Sequence, residues 1–552
     1  WQALFRDQWR DHRSSVSGCC RELTMIRRQS KRQAGFALLI MLVVLIGVAS
    51  LGLSNILGSS VKYRDERNKM ENIIVLQEAK EALLSYTVDY AVRDVNGDGN
   101  MVLNRMGRLP CPDITDTAFP SDIEGNQDSN CGVTGANSIG YLPFKTLGIG
   151  KIEGASKECL WYVVSGDYKN QPSANLLNWD SLGYLNLVDE NGKLKHDNLE
   201  GSYPIAFIIN PGAAINQDRG LDPALPECKA NYTIANYLEG GPNINYDVDL
   251  PLDADTLWEI LTTPASASLD NLNYNDRVIA IYRDELWGRV KQIGDLSFDN
   301  ATGVAAMSKI ELLTKSLAEC IAAYGNDIAN LHGQLPYPAP VDLDPTNVDQ
   351  NEYRNEDNYD DSNAIRYGRF PQDLDDSVQN ETNFVYGAPS YCEASGVTAY
   401  NENLWNNWKD HFFYIVSEDF DSNSGPPEPT PKDNTKCTAA NCITINGGAD
   451  KVAAMVLFAG EAQVGQNRIW WWDEPSGSVG SDFKSSESNY LETSNEVEYI
   501  AGSLDYTISN PAVGGFDYQY CVEYQDVSPT VTPDYKLVAI KCSNLDGVNG
   551  AP

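Results

Sequence analysis

Histidine is scarce in this chain: four residues in 552, against 41 Lys/Arg and 77 Asp/Glu. His12, His196, His332 and His411 stand apart from one another, with no His-Glu-x-x-His zinc motif and no Cys or Ser nucleophile motif beside them. A Gly-x-Ser-x-Gly elbow, a phosphate-cradling glycine loop and a Cys-x-x-Cys pair are all missing. These absences remove the common hydrolase, nucleotide-binding and structural-zinc readings. Paired carboxylates carry no signal either, since so many acids place some of them together by chance. The chain therefore reads as non-enzymatic.

Positive charge is also short. Beyond residue 35, 33 Lys/Arg face 74 Asp/Glu, a net charge of −41. Such a surface repels phosphate backbones and anionic lipid headgroups, so direct nucleic-acid binding is not expected.

Charge of either sign disappears between Gln33 and Lys62, where Phe36-Ala37-Leu38-Leu39-Ile40-Met41-Leu42-Val43-Val44-Leu45-Ile46 opens a long apolar run. About 20 apolar residues in a helix cross a bilayer core of about 30 Å. Residues 36–57 are thus expected to form a transmembrane helix. Arg27, Arg28, Lys31 and Arg32 precede the run, which keeps that side cytoplasmic and sends the rest outward. A secretory signal peptide has a shorter core with its small-residue site behind it. Here Gly35 stands in front of the core and Phe36 follows at once.

The Ala34-Gly35-Phe36 arrangement after a basic leader opening at Met25 resembles the class III leader of type IV prepilins and type II secretion pseudopilins. The resemblance implies cleavage by a prepilin peptidase after Gly35 and N-methylation of Phe36. An ordinary signal anchor is the competing reading. Residues 1–24 start without Met and show no steady period, so residues 1–35 read as an upstream extension plus leader. Family subunits mostly carry Glu as the fifth mature residue, where this chain has Ile40. A missing countercharge in an apolar filament core is costly. The departure argues against a major subunit and resembles the large tip pseudopilin and some minor pilins.

Past the apolar run, Lys62 to Val92 contains no Gly or Pro and keeps apolar residues near the helical period, from Ile73 and Ile74 to Tyr90. One spine helix over residues 36–92 is expected. The remainder repeats. Gly107-Arg108-Leu109-Pro110-Cys111-Pro112 returns as Gly333-Gln334-Leu335-Pro336-Tyr337-Pro338, and Trp161-Tyr162-Val163-Val164-Ser165 as Phe413-Tyr414-Ile415-Val416-Ser417. Ala206-Phe207-Ile208-Ile209, followed by Asn216-Gln217-Asp218-Arg219, matches Met455-Val456-Leu457-Phe458, followed by Gly465-Gln466-Asn467-Arg468. Asn236-Tyr237-Leu238-Glu239 matches Asn489-Tyr490-Leu491-Glu492, and Arg277-Val278-Ile279-Ala280-Ile281 matches Lys536-Leu537-Val538-Ala539-Ile540. A helix precedes each Leu-Pro motif, and short β-branched runs between turn residues follow it. The expected fold class is α+β: a long membrane-spanning helix, then two tandem pilin-like heads with antiparallel sheets, over residues 93–290 and 304–552.

Three features are candidate sites. Asp94, Asn96, Asp98 and Asn100 alternate around Gly97 and Gly99 like the first half of an EF-hand loop, although Arg105 stands where the bidentate Glu belongs. Ca²⁺ is the candidate cofactor there, and an Asx-turn ending the spine is the bland alternative. Trp470, Trp471 and Trp472 are consecutive, so a strand would expose at least one of them to a protein or glycan ligand; burial is the alternative. Ten cysteines follow the leader, an even number in an oxidising compartment. Cys437 with Cys442, Cys111 with Cys131, and Cys521 with Cys542 are the expected disulfides, with the pairing of Cys159, Cys228, Cys320 and Cys392 open.

The leading functional expectation is a minor pilin or pseudopilin at the tip of a filament. Its expected partners are other pilins or pseudopilins, the prepilin peptidase and the inner membrane before assembly, with the head in the periplasm or at the cell surface. The alternative is a surface or periplasmic glycan-binding protein or hydrolase on a pilin-type anchor.

Overall fold

A computed structural model describes residues 67–90, 106–114, 123–171, 177–188, 204–219, 228–238, 258–261, 276–293, 309–327, 334–343, 359–394, 402–420, 441–445, 451–468, 484–490, 505–506, 518–526 and 535–545, with short breaks inside several of these ranges. Residues 69–552 belong to one compact unit.

The first helix, α1, is seen from residue 67 to residue 90. Val75, Leu76, Ala79, Leu83 and Leu84 are buried on one face, while Met70, Ile73 and Ile74 are exposed. Arg67, Lys69, Glu71, Glu78, Lys80, Glu81 and Asp89 recur along it, as suits a helix with one face in water. The expected membrane-spanning spine is thereby corrected. No helix among the described residues is long and apolar enough to cross a membrane, and strands outweigh helices. The apolar run 36–57 lies outside the described residues, as do Gly35 and Phe36.

Two antiparallel sheets follow. The first has four strands in sequential order: β1 (Ser138–Tyr141), β2 (Trp161–Val164), β3 (Pro204–Asn210) and β4 (Arg277–Tyr282). The chain then passes into α2 (Arg283–Ile293) and α3 (Lys309–Asn326). The second sheet runs β5 (Tyr367–Arg369), β6 (Phe412–Val416), β7 (Val452–Phe458), β8 (Tyr518–Asp526) and β9 (Tyr535–Lys541). Two short helices, α4 (Tyr391–Ala394) and α5 (Glu402–Trp408), lie between β5 and β6. Each sheet is thus a meander preceded by a helix, α1 in one copy and α3 in the other.

Register shows how closely the copies agree. Leu109 N–H donates to Tyr168 O at 2.7 Å, and Leu335 N–H donates to Phe420 O at 2.8 Å. Ser165 N–H donates to Ile205 O and Ser417 N–H to Ala453 O, both at 2.9 Å. A register shift interrupts β3 between Pro204 and Ala206, and β7 between Val452 and Ala454. Gly140 and Gly368 pair with Tyr162 and Tyr414. A Cβ on Gly140 would come within 2.7 Å of Asp113 O, and one on Gly368 within 2.0 Å of Ala339 O. Only glycine lets the Leu-Pro segment run so close beside the first strand of each sheet.

Two sequence matches shift. Val164 faces Ala206 while Val416 faces Ala454, so Ala206 corresponds to Ala454 rather than Met455. Ile281 faces Ala206 as Val522 faces Ala454, which makes β4 the counterpart of β8. The Lys536–Ile540 run, matched to it by residue type, belongs to β9, a strand with no counterpart among the described residues of the first sheet. In the first copy β4 leads directly into α2, with Trp287 against Gly107 and Lys80 of α1 paired to Glu285 at 2.6 Å.

The matches ending in Arg219 and Tyr237 prove to be two halves of one contact. The Arg219 guanidinium stacks on the Tyr237 ring at 4.8 Å and donates to Asn236 O and Gly212 O. Arg468 stacks on Tyr490 at 4.5 Å and donates to Asn489 O and Gly460 O. The apolar core is continuous across the copies: one cluster joins Leu83, Tyr162 and Trp287 with Leu317, Trp408 and Phe458. Disulfides Cys111–Cys131 and Cys159–Cys228 sit in the first copy, Cys320–Cys392 and Cys521–Cys542 in the second. Cys442 is also disulfide-bonded, and Cys437 lies outside the described residues.

Candidate functional site

Among the described residues, a group of buried polar side chains lies where the copies meet. From the first copy comes the turn at residues 177–181, where Asp180 N–H donates to Asn178 Oδ1 at 2.9 Å and Asn178 N–H donates to Ser181 Oγ. This local Asx-type turn fixes the direction of Asp180. From the second copy, α5 ends at Trp408 and a 3₁₀ turn, Lys409–His411, leads into β6. Asp410 and His411 are fully buried there.

The turns interlock. Asn407 Oδ1 accepts from Leu177 N–H at 2.7 Å, and Asn407 O accepts from Asn178 Nδ2 at 2.9 Å. Asn178 Nδ2 also reaches Asp410 Oδ1 at 3.0 Å. His411 Nδ1 lies 2.9 Å from the same Asp410 Oδ1. Its Nε2 faces Trp179 Nε1 at 2.9 Å and Asp180 Oδ2 at 3.0 Å. An indole N–H can only donate, so with Trp179 bonded the imidazole proton sits on Nδ1. An imidazolium would instead donate from Nε2 to Asp180.

Lys484 completes the cluster, with Nζ 2.6 Å from Asp410 Oδ2 and 4.0 Å from Asp180 Oδ2. Arg369 holds the surrounding backbone, donating to Asp410 O, Lys484 O and Val341 O. Trp179, Trp408, Phe458 and Tyr490 wall His411 in, with ring centroids 5.4 to 5.9 Å from the imidazole. Burial alone pushes the Asp180 carboxyl upward. The charges of His411, when protonated, Arg468 and Lys484 outweigh that and hold it well below the usual carboxylate range.

Asp180, Asp410 and His411 bring one ligand atom each within 4.8 Å of one another. The donor set does not suit a metal ion. The two ring nitrogens face different carboxylates, so one ion cannot gather all three groups through the imidazole, and Lys484 already supplies a positive charge. The cluster reads instead as a polar latch between the copies.

The sequence-derived sites meet the structure unevenly. Disulfides Cys111–Cys131 and Cys521–Cys542 are present. Asp94, Asn96, Asp98, Asn100, Trp470, Trp471 and Trp472 lie outside the described residues. The latch residues were missed, yet the repeat contained a signal. Extending the Trp161/Phe413 match upstream aligns Asp410-His411 with Glu158-Cys159. In the first copy those positions form an Arg219–Glu158 ion pair at 2.8 Å and the Cys159–Cys228 disulfide. The second copy has replaced a staple with an ionic cluster. No protein-family model matches this chain, and neither the curated proteins nor the solved structures offer a match.

Proposed function

We propose that the chain is a low-copy tip or initiation subunit of a type IV pilus-like or type II secretion filament, with a structural and interaction role. The observation that carries this reading is the fusion of two helix-and-meander copies through one apolar core and a buried polar latch. A head of that bulk is hard to repeat at close helical spacing, whereas it can crown a filament. The Gly35-Phe36 leader supports entry into such a pathway, and Ile40 supports the end position. A first subunit has no neighbour above whose N-terminal ammonium needs a countercharge, so the absent Glu costs it little. Its own Phe36 ammonium still receives the Glu of the subunit added next. Disulfides within both copies fit a head that matures in an oxidising compartment.

Immunogold labelling and quantitative proteomics of sheared filaments test the assignment. Labelling at one end, at low stoichiometry, is expected, and Gly35→Glu should leave the leader attached and block incorporation. Even labelling along the shaft, or a cell whose deletion mutant assembles and secretes normally, would reject it.

A further inference from the structure

The contact between Lys484 and Asp410 has the geometry of a reaction as well as of an ion pair. Lys484 Nζ is 2.6 Å from Asp410 Oδ2, and both side chains are buried, at 9% and 0% exposure. The two carboxyl oxygens have different partners. Oδ1 faces two donors, Asn178 Nδ2 at 3.0 Å and His411 Nδ1 at 2.9 Å, while Oδ2 faces the amine. Asp180 Oδ2 lies 3.0 Å from His411 Nε2 and 4.0 Å from the amine nitrogen.

We infer that Lys484 and Asp410 condense into an intramolecular amide, with Asn178 and His411 holding Oδ1 and Asp180 carrying a proton. A buried ammonium and carboxylate both lose hydration, which favours their neutral forms. An amine held against a carboxyl in a dry pocket reacts as if at very high concentration. The neutral Nζ attacks Asp410 Cγ, and negative charge gathers on Oδ1, where the two donors already point. The new bond is Nζ–Cγ, and the bond that breaks is Cγ–Oδ2. Of the three ammonium protons, one passes directly to Oδ2 across the 2.6 Å contact and a second reaches it by way of the Asp180 carboxylate, so that Oδ2 departs as water. Asp180 starts and ends ionised, and no electron leaves or enters.

Asn178 and Asp180 belong to the first copy, while Asp410 and Lys484 belong to the second. The reaction centre is complete only once the copies dock, so the bond records that docking. Lys80–Glu285, at the same 2.6 Å, is a natural control. Glu285 is 36% exposed, so water keeps its carboxylate solvated and the pair stays ionic.

Peptide mapping of the full-length oxidised protein tests the inference. A branched peptide joining the Lys484 and Asp410 segments, lighter by one water than the sum of its parts, is expected, while the Lys80 and Glu285 peptides stay separate. Lys484→Arg keeps the charge and should restore two unlinked peptides at full mass. Asp180→Asn should fold with the same disulfides and remain mostly unlinked. Wild-type protein with its disulfides formed and both peptides unlinked would overturn the inference. So would persistence of the missing water in Lys484→Arg, and complete linkage in Asp180→Asn would overturn the proton-carrying role.

Discussion

Replacing Arg468 by Met separates the duplicated arginine–tyrosine contact from simple packing. Arg468 is 1% exposed, and its guanidinium donates to Asn489 O at 2.6 Å and to Gly460 O while stacking on Tyr490. Methionine fills much of the volume and donates nothing. Each orphaned buried carbonyl costs about 1–3 kcal/mol. The lost stacking of a desolvated cation adds about 2 kcal/mol. Relief from desolvating the guanidinium offsets part of this, and breaking a buried charged contact typically nets a loss of about 3–5 kcal/mol. Urea unfolding of the oxidised protein, followed by tryptophan fluorescence, should therefore show a loss of roughly 4 kcal/mol for Arg468→Met. Arg468→Lys should recover less than half, because an ammonium lacks the planar fork that reaches both carbonyls. Since the copies share one core, the loss should shift the whole transition. A change under about 1 kcal/mol would refute the reasoning, because it would mean that water already satisfies those carbonyls.

The glycines beside the first strands offer a paired test: Gly140→Ala and Gly368→Ala should each destabilise by about 1–3 kcal/mol, with Gly368 the worse because its new methyl meets Ala339 O at 2.0 Å. Replacing both cysteines of Cys159–Cys228 by Ser should cost about 4 kcal/mol by loop entropy, against about 3 for Cys521–Cys542, whose separation is 21 residues rather than 69; equal losses in calorimetry would contradict that ordering. Asp180 is held below its ordinary value, so its stabilisation is present at neutral pH, begins to fall below about pH 4, where the unfolded chain takes up its proton, and is lost as pH drops further through the lowered folded value. Acid unfolding of Asp180→Asn should accordingly be shallower than that of wild type, and superimposable acid limbs would show that Asp180 is not held low.

How much of this was legible depended on whether a pattern repeats. The Leu-Pro segments, the β2 and β6 cores and the two halves of the arginine–tyrosine contact recur because each solves the same packing problem twice. Strand identity at the sheet edge was not legible. Arg277–Ile281 and Lys536–Ile540 share a basic-then-apolar rhythm that any half-buried strand can carry, and only hydrogen-bond register separates them. The one-residue slip at Ala206 has a related cause: a shift interrupts β3 and β7, and neighbouring apolar residues cannot reveal it. The long spanning helix was overread, since the helix seen over 67–90 is amphipathic and charged. The latch escaped notice because Asp180, Asp410 and Lys484 come from three distant loops with no shared motif, and each alone looks like a solvated charge.

The placement of the disulfides has a mechanical consequence. Among the described residues no cystine ties one copy to the other, so a pull along the chain loads the hydrogen-bonded latch before any covalent cross-brace. Once a copy opens, the Cys159–Cys228 and Cys320–Cys392 bridges keep loops of 69 and 72 residues from paying out. The head would yield under tension in shorter steps than an unbridged chain, like a rope with knots already tied.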